Sequence, residues 1–305
     1  MAVIVDLDHD GPATRALVIG VSAYPYASGP DATDSGKKSG IGHLSSAARS
    51  ASEFAVWLMT EYRMPDKPLA SLRLLVSPVE GEAVHPAVAD AVAADPPSFS
   101  ATAQAVTSAL IELRRECKDH PDDVLIVYVA GHGVQLSKHD AIVLLHDYAA
   151  GHHLRELGGA IDAIGCHRGF DGDTYPSHQF WFVDACRQPP TVARRFESLE
   201  GAAITFDEPT GKVDSTPVFL ASSTREAAFA EVGGTSLFSQ ALLWALRGAA
   251  ATGPDGVCSE WHVRTSTLID VIGPRVARLA AAYEADQHVD VTGRPGPAVV
   301  LIFGY

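Results

Sequence analysis

A chain of 305 residues with 47% apolar composition carries enough hydrophobic material to bury the core of one large α/β domain, and residues 1–305 read as a single unit. The formal net charge of −14, from 37 acidic against 23 basic residues, argues against a phosphate-neutralising surface, so no nucleic-acid partner is expected. No stretch reaches the ~20 apolar residues of a spanning helix, and the apolar start runs into Asp6 without the pattern of a signal peptide. These features predict a cytoplasmic protein with no membrane partner.

Cys117, Cys166, Cys186 and Cys258 are widely spaced, which suits reduced thiols better than a disulfide framework. Along the chain, short apolar runs alternate with amphipathic stretches, the pattern of a mostly parallel sheet covered by helices on both faces. Ala16-Leu17-Val18-Ile19-Gly20-Val21 predicts the first buried strand. Ala51, Phe54, Ala55, Leu58, Met59 and Tyr62 recur at helical spacing, with Ser45 or Ser46 as the cap. Leu72-Arg73-Leu74-Leu75-Val76 predicts a strand, and residues 77–100 read as an irregular surface excursion. A helix from about Thr102 is drawn by Val106, Leu110, Leu113 and Cys117 and ends at His120-Pro121-Asp122.

Val124-Leu125-Ile126-Val127-Tyr128-Val129 is a near-continuous apolar run, the mark of a central strand covered on both faces. It leads into Gly131-His132-Gly133. Ile142-Val143-Leu144-Leu145 and Phe180-Trp181-Phe182-Val183 predict further strands, the second leading into Asp184-Ala185-Cys186-Arg187. Pro, Arg, Glu and Thr dominate from there to about 216, as in a linker. Beyond it, Pro217-Val218-Phe219-Leu220-Ala221 predicts a strand and residues 237–246 and 268–283 two helices, while Val299-Val300-Leu301-Ile302 is expected to close the sheet.

In open parallel sheets the carboxyl ends of the strands share one edge, where ligands bind. His132 and Cys186 both fall at such ends. A histidine between two glycines leaves the backbone free to approach a substrate, and a cysteine just past an aromatic strand stands on a rigid support. A neighbouring imidazole can take the thiol's proton and later protonate a leaving amine. The backbone N–H groups of Gly133 and Cys186 are the candidate donors to an oxyanion.

Tyr128-Val129-Ala130-Gly131-His132-Gly133 and Asp184-Ala185-Cys186-Arg187 resemble the two catalytic signatures of caspases, metacaspases and paracaspases, with the histidine about 50 residues upstream of the cysteine as in the caspase signature. The resemblance spans roughly residues 14–250, including the first strand and the stretch from Leu220 to Leu246. It implies a caspase-hemoglobinase fold and cysteine endopeptidase activity through a thiol ester with no organic cofactor. It also implies a large-subunit-like region 14–190, an inter-subunit linker at about 187–216 and a small-subunit-like region 217–305. Polypeptides are then the substrates, and an upstream activator protein is compatible with the family. Ala- and Gly-rich usage agrees with a bacterial source, where relatives belong to stress or antiphage cascades.

Strand alternation puts Asp184 on the side of Cys186, and in metacaspases and paracaspases an aspartate at this place accompanies cleavage after Arg or Lys. Caspases instead have glutamine there and bind an acidic residue with arginines. No arginine lies between Val21 and Leu44 here, so Asp184 is assigned to the S1 pocket and cleavage after Arg or Lys is expected. The second pocket aspartate of the metacaspase pattern is replaced by Arg49-Ser50, with Asp31, Asp34 and Glu226 as candidate compensations. Arg194, Arg195 and Lys212 offer self-processing sites within the linker.

Calcium, which some metacaspases need, has only Asp171 and Asp173 as candidates and no definable ligand set. Zinc at Cys166-His167 with His152, His153 and His178 lacks paired ligand spacing, so no metal is expected. The alternatives to an Arg/Lys-directed peptidase are an inactive protein-interaction scaffold and an Asp-specific caspase-type protease.

Overall fold

The apolar runs of the sequence assemble into a seven-stranded sheet in the computed structural model, which describes residues 2–135, 140–151, 157–186, 216–222, 233–254, 261–294 and 300–302. The first half contains β1 (Val3–Asp6), β2 (Thr14–Val21), α1 (Asp34–Ser39), α2 (Ala47–Thr60), β3 (Leu69–Ser77), α3 (Pro86–Ala94), α4 (Pro96–Phe99), α5 (Ala103–Cys117) and β4 (Val124–Gly131). Then follow β5 (Gly133–Val134), β6 (Ile142–Leu144), β7 (Ala160–Asp162), α6 (Ala163–Arg168), β8 (His178–Ala185) and β9 (Thr216–Leu220). The last part holds α7 (Leu237–Trp244), β10 (Ala251–Thr252), β11 (His262–Arg264), α8 (Thr265–Ala281), β12 (Asp290–Arg294) and β13 (Val300–Ile302).

The sheet runs β1-β3-β2-β4-β8-β9-β12. Its five inner strands are parallel, and the outer pair, β1 and β12, are antiparallel to their neighbours. Period-two alternation sends the side chains of each inner strand to two separate cores. On β4, Val124, Ile126, Tyr128 and Ala130 face α2, α7 and α8, whereas Leu125, Val127 and Val129 face α5 and α6. Phe54 of α2 stacks on Tyr128 at 4.8 Å and meets Phe182 edge-on at 5.7 Å. Burying a phenyl of this size stabilises by roughly 1.5–3 kcal/mol, which pins the middle of α2 over β4 and β8. Gly20 explains how close α2 comes: a Cβ there would lie 2.5 Å from Ala51 Cβ and 2.6 Å from the Ala47 carbonyl oxygen.

The N-terminus of α2 is capped from a distance. Ser46 occupies the cap position without a side-chain bond; the Ala48 N–H donates to Ser22 Oγ at 3.0 Å and the Arg49 N–H to Glu82 Oε1 at 3.1 Å. Two expectations are corrected. Residues 77–100 contain α3 and α4, short helices started by prolines whose missing N–H costs nothing in a first turn and capped by His85 and Asp95. The run ending at Ile302 does not close the main sheet, because β13 pairs with β11 in a separate three-stranded sheet, and the polar β12 takes the edge beside β9. The helix expected over 237–246 is present as α7, and the backbone turns non-helical only at Arg247 and Gly248. Among the described residues no helix is long and apolar enough to cross a membrane.

Candidate active site

His132 is the first residue past β4 and Cys186 the first past β8. These strands are parallel neighbours in register, with Gly131 opposite Ala185, so the two residues leave the sheet side by side at one carboxyl edge. Adjacent strands lie about 4.8 Å apart. Gly133 shows how tightly the loops meet: a Cβ there would fall 2.0 Å from the Cys186 carbonyl oxygen and 2.9 Å from Ala185 Cβ. Since the obstructing atom is backbone, Gly133→Ala is expected to cost about 1–3 kcal/mol of stability and to lower turnover. Denaturant unfolding and a peptidase assay check this, and an alanine variant matching wild type in both would refute the close approach.

The imidazole of His132 is oriented from three sides. Its backbone N–H donates to Tyr24 Oη at 2.8 Å, its carbonyl accepts from the Leu144 N–H at 2.8 Å, and Nε2 lies 3.0 Å from the Gly42 carbonyl oxygen. A carbonyl only accepts, so Nε2 carries the proton and Nδ1 is the bare nitrogen. The Tyr24 ring lies against the imidazole at a centroid distance of 5.0 Å. Burial pushes the pKa of His132 below its ordinary value, against the hydrogen bond to Gly42. Burial therefore favours the neutral form of the ring.

Cys186 is half-buried, Cys117 and Cys166 are buried, and none of these three is in a disulfide. Burial drives the thiols of Cys117 and Cys166 strongly up, which makes them inert core groups. His132 and Cys186 both line a cavity of about 580 Å³, together with Leu44, Asp184 and Ser236. No Lys or Arg is among the described residues lining it, and Asp184 is their one carboxylate.

Asp184 is only 5% exposed. Tyr128 Oη donates to its Oδ2 at 2.6 Å, and Ser236 Oγ donates to the same oxygen. Burial raises the carboxyl from 3.8 to about 6, opposed by the bonds from Ser236 and Tyr128. Both hydrogen bonds fall on Oδ2, so among the described residues Oδ1 is the oxygen left for a ligand. Ser50 stands where a second acid was sought, and its Oγ instead accepts the Ser236 N–H at 2.9 Å. Arg49 turns to the Gly233 carbonyl. Ser50 is thus a neutral support for the residue that holds Asp184.

The other sequence candidates divide simply. Asp31 and Asp34 are exposed and do not line the cavity. Among the described residues no group of three or more His, Cys, Asp or Glu is placed to hold a metal, the Cys166/His167/His178 grouping included. Arg194, Arg195, Lys212, Glu226, Cys258, His152 and His153 lie outside the described residues. Sequence reasoning did not find Tyr24, Gly42, Tyr128 or Ser236. Tyr128 carried a signal, since a hydroxyl inside an apolar central strand needs a buried partner.

Comparison with known proteins bears on the family and the fold. A profile of the caspase domain matches residues 13–256, well over half of the chain. The crystal structure of caspase-1 from Spodoptera frugiperda superposes with a TM-score of 0.55 at 13% identity, covering 100% of this chain and 98% of that one; at that identity the match speaks for the fold. No curated protein matches the sequence. With the profile running through both strand ends that carry His132 and Cys186, the chain belongs to the caspase-domain family of cysteine peptidases.

Proposed function

We propose that the protein is an endopeptidase that cleaves after Arg or Lys, with Cys186 as nucleophile, His132 as base and Asp184 as the S1 anion. The observation that carries this reading is the placement of one buried carboxylate in the cavity that holds the thiol and the imidazole. Nδ1 of His132 takes the thiol proton, and the thiolate attacks the peptide carbonyl carbon. The N–H groups of Gly133 and Cys186 receive the oxyanion. Collapse expels the amine, which takes the proton from the imidazolium, and a water activated by the same ring hydrolyses the thiol ester.

Selectivity follows from charge. A P1 guanidinium or ammonium meets Oδ1 of Asp184, while a P1 carboxylate would meet a like charge in a desolvated site. Hydrolysis of fluorogenic peptides ending in Arg, Lys or Asp tests the reading: Arg and Lys peptides are cut, and turnover of the Asp peptide alone would refute the pocket assignment. The same preference would let the enzyme cut its own segment 187–215 at Arg194, Arg195 or Lys212. An upstream activator protein would act before or through that step.

The pH profile follows from the same carboxylate. With the pKa of Asp184 at about 6, protonation of Asp184 over that range removes the pocket's charge, which a P1 cation needs for binding. kcat/KM for Arg peptides is therefore expected to fall as pH drops through about 6, chiefly through KM. A flat KM with a falling kcat over that range would assign the acid limb to another group.

A further inference from the structure

We infer that His43 is a positioning residue for His132, an assignment that rests on His132 acting as the base. The Gly42 carbonyl fixes the proton on Nε2 of His132 at 3.0 Å, yet Gly42 brings no side chain to hold its own peptide in place. The anchoring comes from the next two residues. Nδ1 of His43 accepts the backbone N–H of Tyr24 at 3.0 Å, and the Leu44 N–H donates to the Ser22 carbonyl at 2.9 Å. Ser22 and Ala23 are themselves tied to β3, both N–H groups donating to the Ser77 carbonyl at 2.9 Å. The segment 42–44 is thus fastened to the rigid exit of β2.

Tyr24 joins the two histidines. Its backbone N–H holds His43, while its phenol oxygen accepts the His132 N–H and its ring lies against the His132 imidazole. Removing the acceptor at His43 leaves the Tyr24 N–H without its partner and loosens the Gly42 carbonyl. The imidazole of His132 can then place its proton on Nδ1, the nitrogen needed bare to receive the thiol's proton. His43 is exposed, so core packing does not account for its presence. It also lines the cavity, and direct contact with substrate is the competing explanation, one that would appear in KM.

The position of the acceptor supplies the test, because Asn places its Oδ1 where His has Nδ1, whereas Gln places its acceptor near the Nε2 position. In the full chain, His43→Gln and His43→Ala are expected to lower kcat for an Arg peptide about tenfold or more with KM within about twofold, and His43→Asn to recover most of that loss. Thermal unfolding of all three variants, measured alongside, removes misfolding as a cause. Equal losses in the Asn and Gln variants, no loss in Gln, or an effect confined to KM would overturn the assignment. His132→Ala separates the two levels. If it stays active, the base assignment falls and that of His43 with it; if it is inactive while His43→Gln matches wild type, only the His43 inference fails.

Discussion

Cys186→Ala is expected to abolish turnover of Arg and Lys peptides, with kcat down by about 10⁴-fold or more, because no other described thiol can take its place. Cys117 and Cys166 are buried in the core that packs β2, β4 and β8 against α5 and α6, far up in pKa through desolvation. His132→Ala should fall by a similar order, since a thiol without its base is mostly protonated at neutral pH. The double variant should be no worse than either single one, as groups acting as a unit give non-additive losses. Full additivity would mean that the two side chains work independently, against the register that sets Gly131 opposite Ala185. Fold is not at stake in the cysteine change, so unfolding curves of wild type and Cys186→Ala should nearly coincide.

Asp184→Asn is expected to lower kcat/KM for Arg and Lys peptides by roughly 10²–10³-fold, the loss of a desolvated ion pair worth about 3–4 kcal/mol. Asn keeps an acceptor for the hydroxyls of Tyr128 and Ser236, so the pocket's shape survives while its charge does not. The same substitution should stabilise the protein at neutral pH. The folded-state pKa of about 6 lies above the ordinary 3.8, so this group's contribution to stability is fully present below about 3.8 and is lost as pH rises through about 6. Above that range the buried carboxylate is a net burden that Asn lacks. The variant's melting temperature should exceed wild type at pH 8, with the difference vanishing toward pH 4. Less stability with unchanged Arg cleavage would make Asp184 a structural residue, held by Tyr128 and Ser236 for packing alone.

The central strands were legible in the residues because a strand covered on both faces must be apolar throughout, as Val124 to Val129 is. The meeting of His132 and Cys186 followed from the same logic, since parallel strands end on one edge. Register between β4 and β8 is what the residues could not state, and it is register that sets the pair side by side. The helices α3 and α4 were missed because Ala-rich turns with only Val88, Val92 and Phe99 buried carry little periodic signal. The edge strand β12 was missed for a related reason: Asp290-Val291-Thr292-Gly293-Arg294 is polar, and an edge needs only one covered side. The supports around the site, Tyr24 and Gly42 on His132 and Tyr128 and Ser236 on Asp184, act across separations of 52 to 108 positions. Such contacts are set by tertiary packing, which short-range spacing does not encode.

The most direct test of the central claim is covalent labelling with two peptidyl acyloxymethyl ketones that differ only in carrying Arg or Asp at P1, read by intact mass and peptide mapping. The thiolate displaces the carboxylate leaving group and becomes a thioether, so the label records nucleophile and pocket together. One adduct per chain, on Cys186, from the Arg reagent and not the Asp reagent, slowed in His132→Ala and in Asp184→Asn, is the expected result. Modification of another cysteine, or equal labelling of Cys186 by both reagents whatever residue stands at 132 and 184, would contradict it.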